Sequence, residues 1–492
     1  MIDNNILKTI SKSVPLYVLR VSDTLISNGF KAYLVGGSVR DLFLKKEPED
    51  YDIATDAVPE QIQELFPKSI ATGAKFGTIT VLSDDEKGEN FEVEVTTFRS
   101  ESDYFGGRWP GKVEFTKTIE DDLSRRDFTI NAIAIDLKDL SDYTRLSSEK
   151  IIDPFGGLRD LNNEIIRAVG DPLERFSEDG LRTIRACRFA SILHFKIEPK
   201  TFESIKKSLH ITKLVAIERV RDEFEKIIKN SSIPSVGFRL LKKSGILAIY
   251  IPELIETEKI EQPEYHTDNV FEHSLKTMDI AHDSVKWAAL FHDIGKVKTK
   301  VVDNTGTHFY GHDKVGAEMV KQIMTRLKFS KKEIEKNVNL VRWHMFYYPS
   351  GDWRKEFDIK EVNISDEKNN VKFGWTDTAI RRFIKNIGGE ENLDDLLKLR
   401  IADATSNPKS SFSTKEIEIF QKRVAEVKAK DMALKVSDLD ITGYDLQKMG
   451  YKTGPKYTIM LEYLLQIVIE DPASNKKEKL IKIIKQTFPK DQ

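Results

Sequence analysis

Apolar residues recur at different spacings along the chain, and the spacing changes after the first third. Residues 1–30 show helical spacing, and residues 31–35 then form a short apolar run that stops at two glycines. This pattern predicts a strand, a glycine turn and the start of a helix. Further segments typical of strands lie at residues 51–54, 77–82, 91–97 and 129–136. The first third is therefore predicted to be mixed α and β around one sheet.

Strand signals nearly vanish beyond residues 153–157, where helical spacing interrupted by short turns takes over. The predicted fold class is α+β, with a mixed α/β N-terminal head followed by a largely α-helical remainder. Turn signals at residues 262–263 and 406–408 flank a histidine-rich block, which we interpret as the centre of one domain. The predicted domains are residues 1–170, 171–235, 236–405 and 406–492.

Length and composition favour a folded protein of several domains. The chain has 492 residues, of which 40% are hydrophobic and 32% charged, and this composition argues against disorder over most of its length. Because 77 basic and 79 acidic side chains give a formal net charge of -2, any RNA site must be a local basic patch. No secretory signal or membrane-length apolar stretch is evident, so we expect a cytoplasmic protein without membrane contacts. Cys187 is the single cysteine, which excludes an intrachain disulfide.

Two acidic residues lie two apart in a predicted strand. Asp50 and Asp52 therefore project from the same face, and both carboxylates can reach one metal site. Paired carboxylates that hold two Mg²⁺ ions can activate an attacking hydroxyl and stabilise a leaving pyrophosphate, which is the chemistry of nucleotide transfer. Upstream, Gly37 leaves room for a phosphate at a helix start, and Arg40 adds a cation. Each motif alone is common in unrelated proteins, so the prediction depends on their combination.

Longer sequence blocks follow these motifs in a fixed order. They are LVGGSVRD at residues 34–41, DYDIAT at 50–55, TTFR at 96–99, RRDFTINA at 125–132, DPFGG at 153–157 and SEDGLRTIRACRF at 177–189. Together they resemble the nucleotidyltransferases that include class II CCA-adding enzymes and bacterial poly(A) polymerases. Segments at residues 442–446 and 450–455 resemble C-terminal parts of the same enzymes, so the resemblance covers nearly the whole chain.

The resemblance implies roles for several side chains. In the family, the aspartate and arginine of the Glu-Asp-x-x-Arg block read the base edge of the incoming CTP or ATP, which gives Asp179 and Arg182 that role. An acceptor beside a donor fork suits cytosine and adenine. The remaining nucleotide and triphosphate contacts implied by the resemblance are Gly37, Arg40, Arg126, Arg185 and Arg188. Glu92 and Glu94 alternate with valines, and we expect them on a solvated strand face.

The predicted product depends on the segment before the Arg-Arg-Asp block. In the family, a flexible loop there permits the change of base preference, and CC-adding enzymes have it shortened. Residues 100–112 fill this region, and RWP at residues 108–110 resembles the family pattern. The predicted function is therefore addition of CCA to tRNA from CTP and ATP, with release of pyrophosphate. A CC-adding enzyme or a poly(A) polymerase of the same family is the alternative, and the lysine-rich tail at residues 475–485 either contacts tRNA phosphates or forms an amphipathic helix.

A second group of candidate ligands lies in the histidine-rich block. His292 and Asp293 are adjacent in the sequence LFHDIGK, and together with His273 and Asp403 they match the four ligands of an HD metal site. Imidazole and carboxylate ligands suit Mg²⁺, Mn²⁺, Ni²⁺ or Fe better than a structural zinc ion, so a divalent metal of unidentified kind is expected. An open coordination position on such a metal can activate water for phosphoester hydrolysis.

Two further histidines and the competing functions complete the prediction. His312 and His344 lie between the four HD ligands and are candidates for a second metal or for binding phosphate. A metal-dependent HD phosphohydrolase whose N-terminal part only binds nucleotide or RNA is the alternative from another class. The presence of both Asp50 and Asp52 favours the polymerase.

A third alternative is an inactive RNA-binding or signalling scaffold. It is disfavoured, because neither predicted site lacks an essential ligand.

Overall fold

The computed structural model describes residues 4–85, 88–105, 109–140, 148–261, 268–304, 306–346, 375–407, 414–429 and 435–489. The chain divides into two compact units, Met1–Pro252 and Glu253–Gln492, and each is described by itself. Among the described helices, none is both long enough and apolar enough to cross a lipid bilayer.

The first unit contains the predicted sheet. Its strands are β1 (Ala32–Val35), β2 (Asp52–Thr55), β3 (Ser69–Gly73), β4 (Thr78–Asp84), β5 (Asn90–Thr97), β6 (Arg99–Phe105), β7 (Trp109–Phe115), β8 (Ala134–Asp136), β9 (Ile151–Ile152), β10 (Ile165–Ile166) and β11 (Lys196–Ile197). Within the described residues, seven strands form the main sheet in the order β3-β4-β5-β2-β1-β8-β9. β1 is antiparallel to β2 and β8, whereas β2 and β5 run parallel.

Most of the predicted strands are confirmed, but the segment at residues 129–136 is only half a strand. Thr129–Asn131 forms a 3₁₀ turn, and the strand is limited to Ala134–Asp136. The Thr129 amide donates to the Arg167 carbonyl at 2.9 Å, and its hydroxyl donates to Asp160 at 2.8 Å. These hydrogen bonds pair the amide and hydroxyl groups of Thr129 with residues outside the main sheet. The prediction of a continuous strand over residues 129–136 was therefore wrong.

The segment predicted to be a flexible loop, residues 100–112, is largely a two-stranded ribbon. β6 and β7 pair antiparallel, from Arg99 opposite Phe115 to Phe105 opposite Trp109. Residues 106–108, which include part of the predicted RWP pattern, lie outside the described residues. The backbone pairing therefore brings the ends of the predicted loop together as a hairpin.

Apolar side chains cover β2 on both of its faces. Ala54 packs in one buried cluster with Val35 and Phe98, while Ile53, at the alternate position, is also fully buried. A shift of one residue would exchange these faces, so burial on both sides fixes the register of β2. This register places Asp52 at the first position of the strand, opposite Val35 of β1.

Helices make up most of the remainder of the first unit. They are α1 (Asn4–Ser13), α2 (Leu16–Ser27), α3 (Gly37–Phe43), α4 (Pro59–Leu65), α5 (Ile119–Ser124), α6 (Gly157–Asn162), α7 (Pro172–Glu178), α8 (Leu181–Leu193), α9 (Pro199–Lys207), α10 (Leu209–Thr212), α11 (Ile217–Asn230), α12 (Pro234–Ser244) and α13 (Ile246–Tyr250). α8 packs against α11 and α12. Its buried positions include Ile184 and Cys187, so the stripe carrying Arg182 and Arg185 faces elsewhere.

The second unit is almost entirely helical, as predicted. Its helices are α14 (Pro252–Glu256), α15 (Val270–Ile280), α16 (Lys286–Phe291), α17 (Lys296–Thr299), α18 (His312–Arg326), α19 (Lys331–Trp343), α20 (Asp377–Asn386), α21 (Glu391–Ser406), α22 (Thr414–Lys428), α23 (Gly443–Lys448), α24 (Pro455–Glu470) and α25 (Lys477–Thr487), and its strands are β12 (Val301–Asp303) and β13 (Gly306–His308). Leu480 and Ile484 of α25 are buried among apolar residues, so the lysine-rich tail forms an amphipathic helix.

One glycine determines how closely α18 approaches the His292–Asp293 pair. A Cβ atom at Gly295 would lie 2.1 Å from the His312 carbonyl oxygen and 2.6 Å from the Gly316 nitrogen. Because both of these atoms belong to the backbone, they are unable to move aside as a side chain would. Gly295 therefore allows the start of α18 to lie directly against the chain that follows α16.

We expect Gly295→Ala to destabilise the second unit by about 2–4 kcal/mol, because α18 must move away from the residue. Gly443→Ala is the matched control, since a Cβ there would make only an ordinary contact of 3.4 Å with Tyr457. Thermal denaturation of both variants beside the unmodified protein measures the difference. Equal melting temperatures for the two variants would contradict the packing argument.

Candidate functional site

All of the polymerase residues predicted from the sequence come together in one cleft of the first unit. The cleft has a volume of about 520 Å³. The predicted residues that line it are Gly37, Arg40, Asp50, Asp52, Arg126, Asp179, Arg182, Arg185 and Arg188. It is also lined by Gly36, the other glycine of the predicted turn, and by residues without a predicted role, namely Arg125, Asp127, Asn131, Leu181, Phe189 and Arg219.

β2 begins at Asp52, so the prediction that Asp50 lies in the same strand was wrong. Both aspartates nevertheless line the cleft, and the charge of Asp50 influences the ionisation of Asp52. Burial, followed by the charge of Asp50, raises the pKa of Asp52 to about 7, although Arg126 acts in the opposite direction. Glu94 lies opposite Asp52 in the parallel pairing of β2 and β5. Partial burial and then Asp50 raise the pKa of Glu94 as well. Asp52 therefore lacks enough nearby positive charge to favour its ionised form, which is the electrostatic setting that suits a divalent cation.

Steric constraints explain why a glycine precedes α3. Gly36 has φ of +77°, and a Cβ atom there would lie 3.0 Å from Arg126 Nη1 and 3.3 Å from Asp52 Oδ2. A side chain would therefore separate the arginine from the strand carboxylate. Gly37, the residue predicted to line the phosphate pocket, is the first residue of α3.

Arg40 is held in place by two polar partners. Its Nε and Nη2 atoms donate to the two carboxylate oxygens of Asp41 at 2.8 Å, and its Nη1 donates to Asn131 Oδ1 at 2.9 Å. Its guanidinium also lies 5.1 Å from the ring centroid of Phe189. Arg188 approaches the same ring to 4.2 Å. Phe189 thus provides an apolar surface against which cleft arginines are arranged.

Arg126 and its neighbour are held by a buried aspartate. Asp122 accepts from Arg125 Nη2 at 2.7 Å and from Arg126 Nη2 at 3.2 Å. Although burial favours the neutral acid, the two arginines lower the pKa of Asp122 below its usual range. Asp122 therefore carries the negative charge that orients both guanidinium groups.

Arg185 forms a comparable pair with Asp127. Its Nε donates to Asp127 Oδ2 at 2.7 Å, while Asp127 Oδ1 accepts from the Asn131 amide at 3.0 Å. Burial opposes ionisation of Asp127, but Arg185 and then the Asn131 hydrogen bond lower its pKa to about 2. The carboxylate thus stays ionised and fixes both cleft residues.

The two residues predicted to read the base do not pair with each other. Arg182 Nη1 donates to Glu178 at 2.5 Å, and its Nη2 donates to the Arg125 carbonyl at 2.9 Å. Asp179 instead accepts from both terminal nitrogens of Arg219. Arg219 lies on α11, far from the motif along the chain, so the spacing within the motif gave no signal for it.

The HD residues of the second unit form a first group of converging ligands. His273 Nε2 lies 3.2 Å from His292 Nε2 and 3.0 Å from Asp403 Oδ1, and these three residues can hold one metal ion. Asp293 Oδ2 lies 3.3 Å from His292 Nε2. The four predicted HD ligands are thus brought together, from α15, the end of α16 and α21.

His312 and His344 form a second group with the other oxygen of Asp293. Asp293 Oδ1 lies 3.3 Å from His312 Nε2 and 3.7 Å from His344 Nε2, and these three residues can also hold a metal ion. Asp293 therefore turns one oxygen toward each group. This arrangement fits two neighbouring metal ions with a carboxylate between them.

Hydrogen bonds outside the two groups orient their imidazoles. The Nδ1 atoms of His292, His312 and His344 lie 2.6–2.8 Å from the carbonyl oxygens of Ala289, Phe309 and Val341. Nδ1 must donate in these contacts, which leaves Nε2 as the metal-facing atom. Burial favours neutral imidazole, yet Asp293 and then Asp403 raise the pKa of His292 to about 10, so the carboxylates attract positive charge to this place.

Comparisons with known families agree with the arrangement of both units. Residues 32–167 match the poly A polymerase head domain, and residues 194–257 match the probable RNA and SrmB-binding site of polymerase A. Residues 270–407 match the HD domain. The chain therefore contains a poly A polymerase head domain, a probable RNA-binding segment of the same polymerases and an HD domain. Both domain types indicate dependence on divalent metal ions.

Individual relatives match this chain over about half of its length. The CCA-adding enzyme of Lactobacillus helveticus (strain DPC 4571) is 50% identical over 207 residues, which cover 42% of this chain and 48% of that enzyme. The CCA-adding enzyme of Lactococcus lactis subsp. cremoris (strain SK11) is 39% identical over 282 residues, or 57% of this chain and 64% of that enzyme. The chain thus spans about half the length of the curated relatives it matches.

A solved structure extends the similarity of fold to nearly the whole chain. The crystal structure of Bacillus stearothermophilus CCA-adding enzyme in complex with CTP has a TM-score of 0.63 and 26% sequence identity with this chain. The match covers 96% of this chain and 97% of that enzyme. The predicted fold class, a mixed α/β head followed by helical domains, is confirmed.

The depressed pKa of Asp127 generates a pH-dependent prediction. Because this pKa is about 2 in the folded protein and about 3.9 in an unfolded chain, the ionised carboxylate stabilises the fold at neutral pH, by about 2–3 kcal/mol. The stabilisation is lost as the pH falls from about 4 through about 2. Asp127→Asn should therefore lower the melting temperature at neutral pH and have little effect near pH 2, measured by thermal denaturation across this range. A difference from the unmodified protein that is independent of pH would contradict the assignment.

Proposed function

We propose that this protein adds CCA to the 3′ end of tRNA, using CTP and ATP and releasing pyrophosphate. The observation that carries the proposal is that residues from four separate sequence blocks line one cleft, with paired carboxylates and clustered arginines. Relatives named as CCA-adding enzymes share the matched segments. A hairpin at β6 and β7, where the family has its specificity loop, supports full CCA addition over CC addition.

The cleft supplies distinct groups for the metal and for the triphosphate. Asp50 and Asp52 would hold Mg²⁺, which supplies Lewis-acid activation of the tRNA hydroxyl and charge neutralisation at the leaving pyrophosphate. The guanidinium groups of Arg40, Arg126 and Arg185 offer donors to the phosphate oxygens. Because carboxylates hold these arginines before the nucleotide arrives, little side-chain entropy is lost on binding.

Base selection follows from the hydrogen-bond donors and acceptors on one edge of the incoming nucleotide's base. Cytosine and adenine each present an exocyclic amino group beside a ring nitrogen that accepts a hydrogen bond, whereas uracil and guanine present a carbonyl beside an N–H group. Asp179 provides an acceptor for the amino group, and Arg182 provides donors for the ring nitrogen. This pair therefore favours CTP and ATP over UTP and GTP.

Each of the four predicted domains has a separate role in the proposed enzyme. Residues 1–170 form the catalytic head, and residues 171–235 form a helical neck that selects the base. Residues 236–405 form the HD domain. Residues 406–492 contact the tRNA, to which α25 offers a lysine-rich face by shape and phosphate recognition rather than by base sequence.

The complete ligand set of the second unit favours a second activity, hydrolysis of phosphoesters. His273, His292 and Asp403 would hold one divalent metal, and Asp293, His312 and His344 a second. Bound metal would supply an activated water for attack on phosphorus. Lys296 donates to Asp293 Oδ2 at 2.6 Å and so holds the carboxylate that lies between the two groups. The substrate class we propose is a damaged or cyclic 3′ phosphate end of RNA.

Extension of a tRNA that lacks its 3′ CCA tests the polymerase directly. With Mg²⁺, CTP and ATP, we expect three additions and then a stop, resolved to one nucleotide on a sequencing gel. Asp52→Asn should lower the rate by about 10²–10³-fold or more, because the metal loses a charged ligand. Glu92→Gln, on a neighbouring strand, is the matched carboxylate control and should retain activity.

The length of the extension distinguishes the alternatives. A stop after two additions would identify a CC-adding enzyme, and a long ladder of A residues would identify a poly(A) polymerase. Absence of extension by the unmodified protein would refute the proposal.

The HD activity is tested with the full chain and a 2′,3′-cyclic nucleotide, in the presence of Mg²⁺, Mn²⁺ or Ni²⁺. We expect hydrolysis that Asp403→Asn lowers by about 10²-fold or more, since one metal ligand loses its charge, while addition of CCA is unaffected. His282→Ala, at an exposed position of the same unit, serves as the control. Hydrolysis that persists in Asp403→Asn would show that another site, or a contaminant, is responsible.

A further inference from the structure

Asp179, the predicted reader of the base, is held by an arginine that no sequence block identifies. Arg219 Nη1 donates to Asp179 Oδ1 at 3.2 Å, and Arg219 Nη2 donates to Asp179 Oδ2 at 2.7 Å. The two residues are 40 positions apart in the chain. Such a two-point contact fixes both the position and the plane of a carboxylate, which a single hydrogen bond does not.

The position of Arg219 follows from the packing of α11 on α8. Val220, Phe224 and Ile227 of α11 are buried, which orients the helix. Arg219 and Glu223 are four residues apart and so share one face. Glu223 accepts from Arg188 Nε at 2.6 Å, so this face of α11 reaches both Asp179, before α8, and an arginine two turns into α8.

The hydrogen bonds of Asp179 leave a restricted set of acceptor positions. A carboxylate oxygen accepts about two hydrogen bonds. Oδ1 already accepts from the Leu181 amide at 3.0 Å as well as from Arg219, whereas Oδ2 accepts from Arg219 within the described part of the chain. One acceptor position therefore stays open on Oδ2, and its direction is fixed by Arg219.

The neighbouring arginine does not provide the same support. Arg182 is engaged by Glu178 and by the Arg125 carbonyl. Without Arg219, the Leu181 amide would remain as the hydrogen-bond donor to the Asp179 carboxylate within the described residues. A single bond to Oδ1 leaves Oδ2 free to rotate. The direction of the open acceptor thus depends on Arg219.

We propose that Arg219 is a positioning residue that sets the base selectivity of the cleft by fixing the open acceptor of Asp179. This inference rests on the proposed nucleotidyltransferase function. A carboxylate oxygen held in a fixed direction accepts a hydrogen bond from the amino group of cytosine or adenine and repels the carbonyl oxygen of uracil or guanine. A rotating carboxylate would discriminate less well between them.

The test compares kcat/KM for CTP with kcat/KM for UTP, measured on one preparation of each variant with tRNA lacking CCA. The ratio is independent of the fraction of folded protein, because the same molecules act on both nucleotides. We expect Arg219→Gln to lower the CTP-to-UTP ratio by about tenfold or more. Arg219→Lys, which keeps the charge but loses the two-point contact, should give an intermediate ratio.

Two further variants separate positioning from general damage to α11. Arg221→Gln is the matched control, since Arg221 pairs with the adjacent Asp222 and does not line the cleft. It should keep the unmodified ratio. Glu223→Gln releases Arg188, which is predicted to contact the triphosphate, so it should raise KM for CTP and UTP equally and leave the ratio unchanged.

The outcomes distinguish this inference from the proposed function. A fall in kcat/KM that is equal for CTP and UTP in Arg219→Gln would overturn the inference, since loss of folding alone produces that result. A selective fall in the ratio would support it. Failure of the unmodified protein to extend tRNA would refute the proposed function itself, whatever the variants do.

Discussion

The pairing of each cleft arginine with a fixed carboxylate is the interaction on which the first unit's site depends. Seven arginines line the cleft within the described residues, and their charges repel one another at close range. Each has an acidic partner; the pairs are Arg40–Asp41, Arg125–Asp122, Arg126–Asp122, Arg182–Glu178, Arg185–Asp127, Arg188–Glu223 and Arg219–Asp179. Several of these pairs join different helices, so the charge balance also orders the walls of the cleft. A triphosphate would meet donors whose directions are already set.

In the second unit, the candidate metal ligands are also held in position by contacts with neighbouring residues. Its metal-facing atoms converge because backbone carbonyls fix the imidazole rings from behind, and because Gly295 lets the chain after α16 lie against α18. Asp293 is the central residue, with one oxygen toward each ligand group. In both units, therefore, contacts outside the candidate ligands determine what those ligands are able to hold.

Local sequence patterns predicted the fold best where burial is unambiguous. β1 and β2 lie where the apolar runs indicate, because both faces of these strands are covered. The apolar pattern gave a wrong prediction at Thr129, because this residue forms hydrogen bonds with Arg167 and Asp160 instead of pairing in the main sheet. It also missed the pairing of β6 with β7, since a glycine-rich segment indicates a turn without showing which flanking strands it joins.

The sequence by itself determined which chemistry is available. It places Asp50 and Asp52 two residues apart where β2 begins, and it places Arg182, Arg185 and Arg188 three residues apart on α8. Such information is local, because strand and helix periodicity decide which side chains share a face. Tertiary structure alone decided that Asp179 pairs with Arg219 rather than with Arg182, and that His312 and His344 share Asp293 with the HD ligands. Those contacts join segments far apart in the chain, and they form only when buried faces bring the helices together.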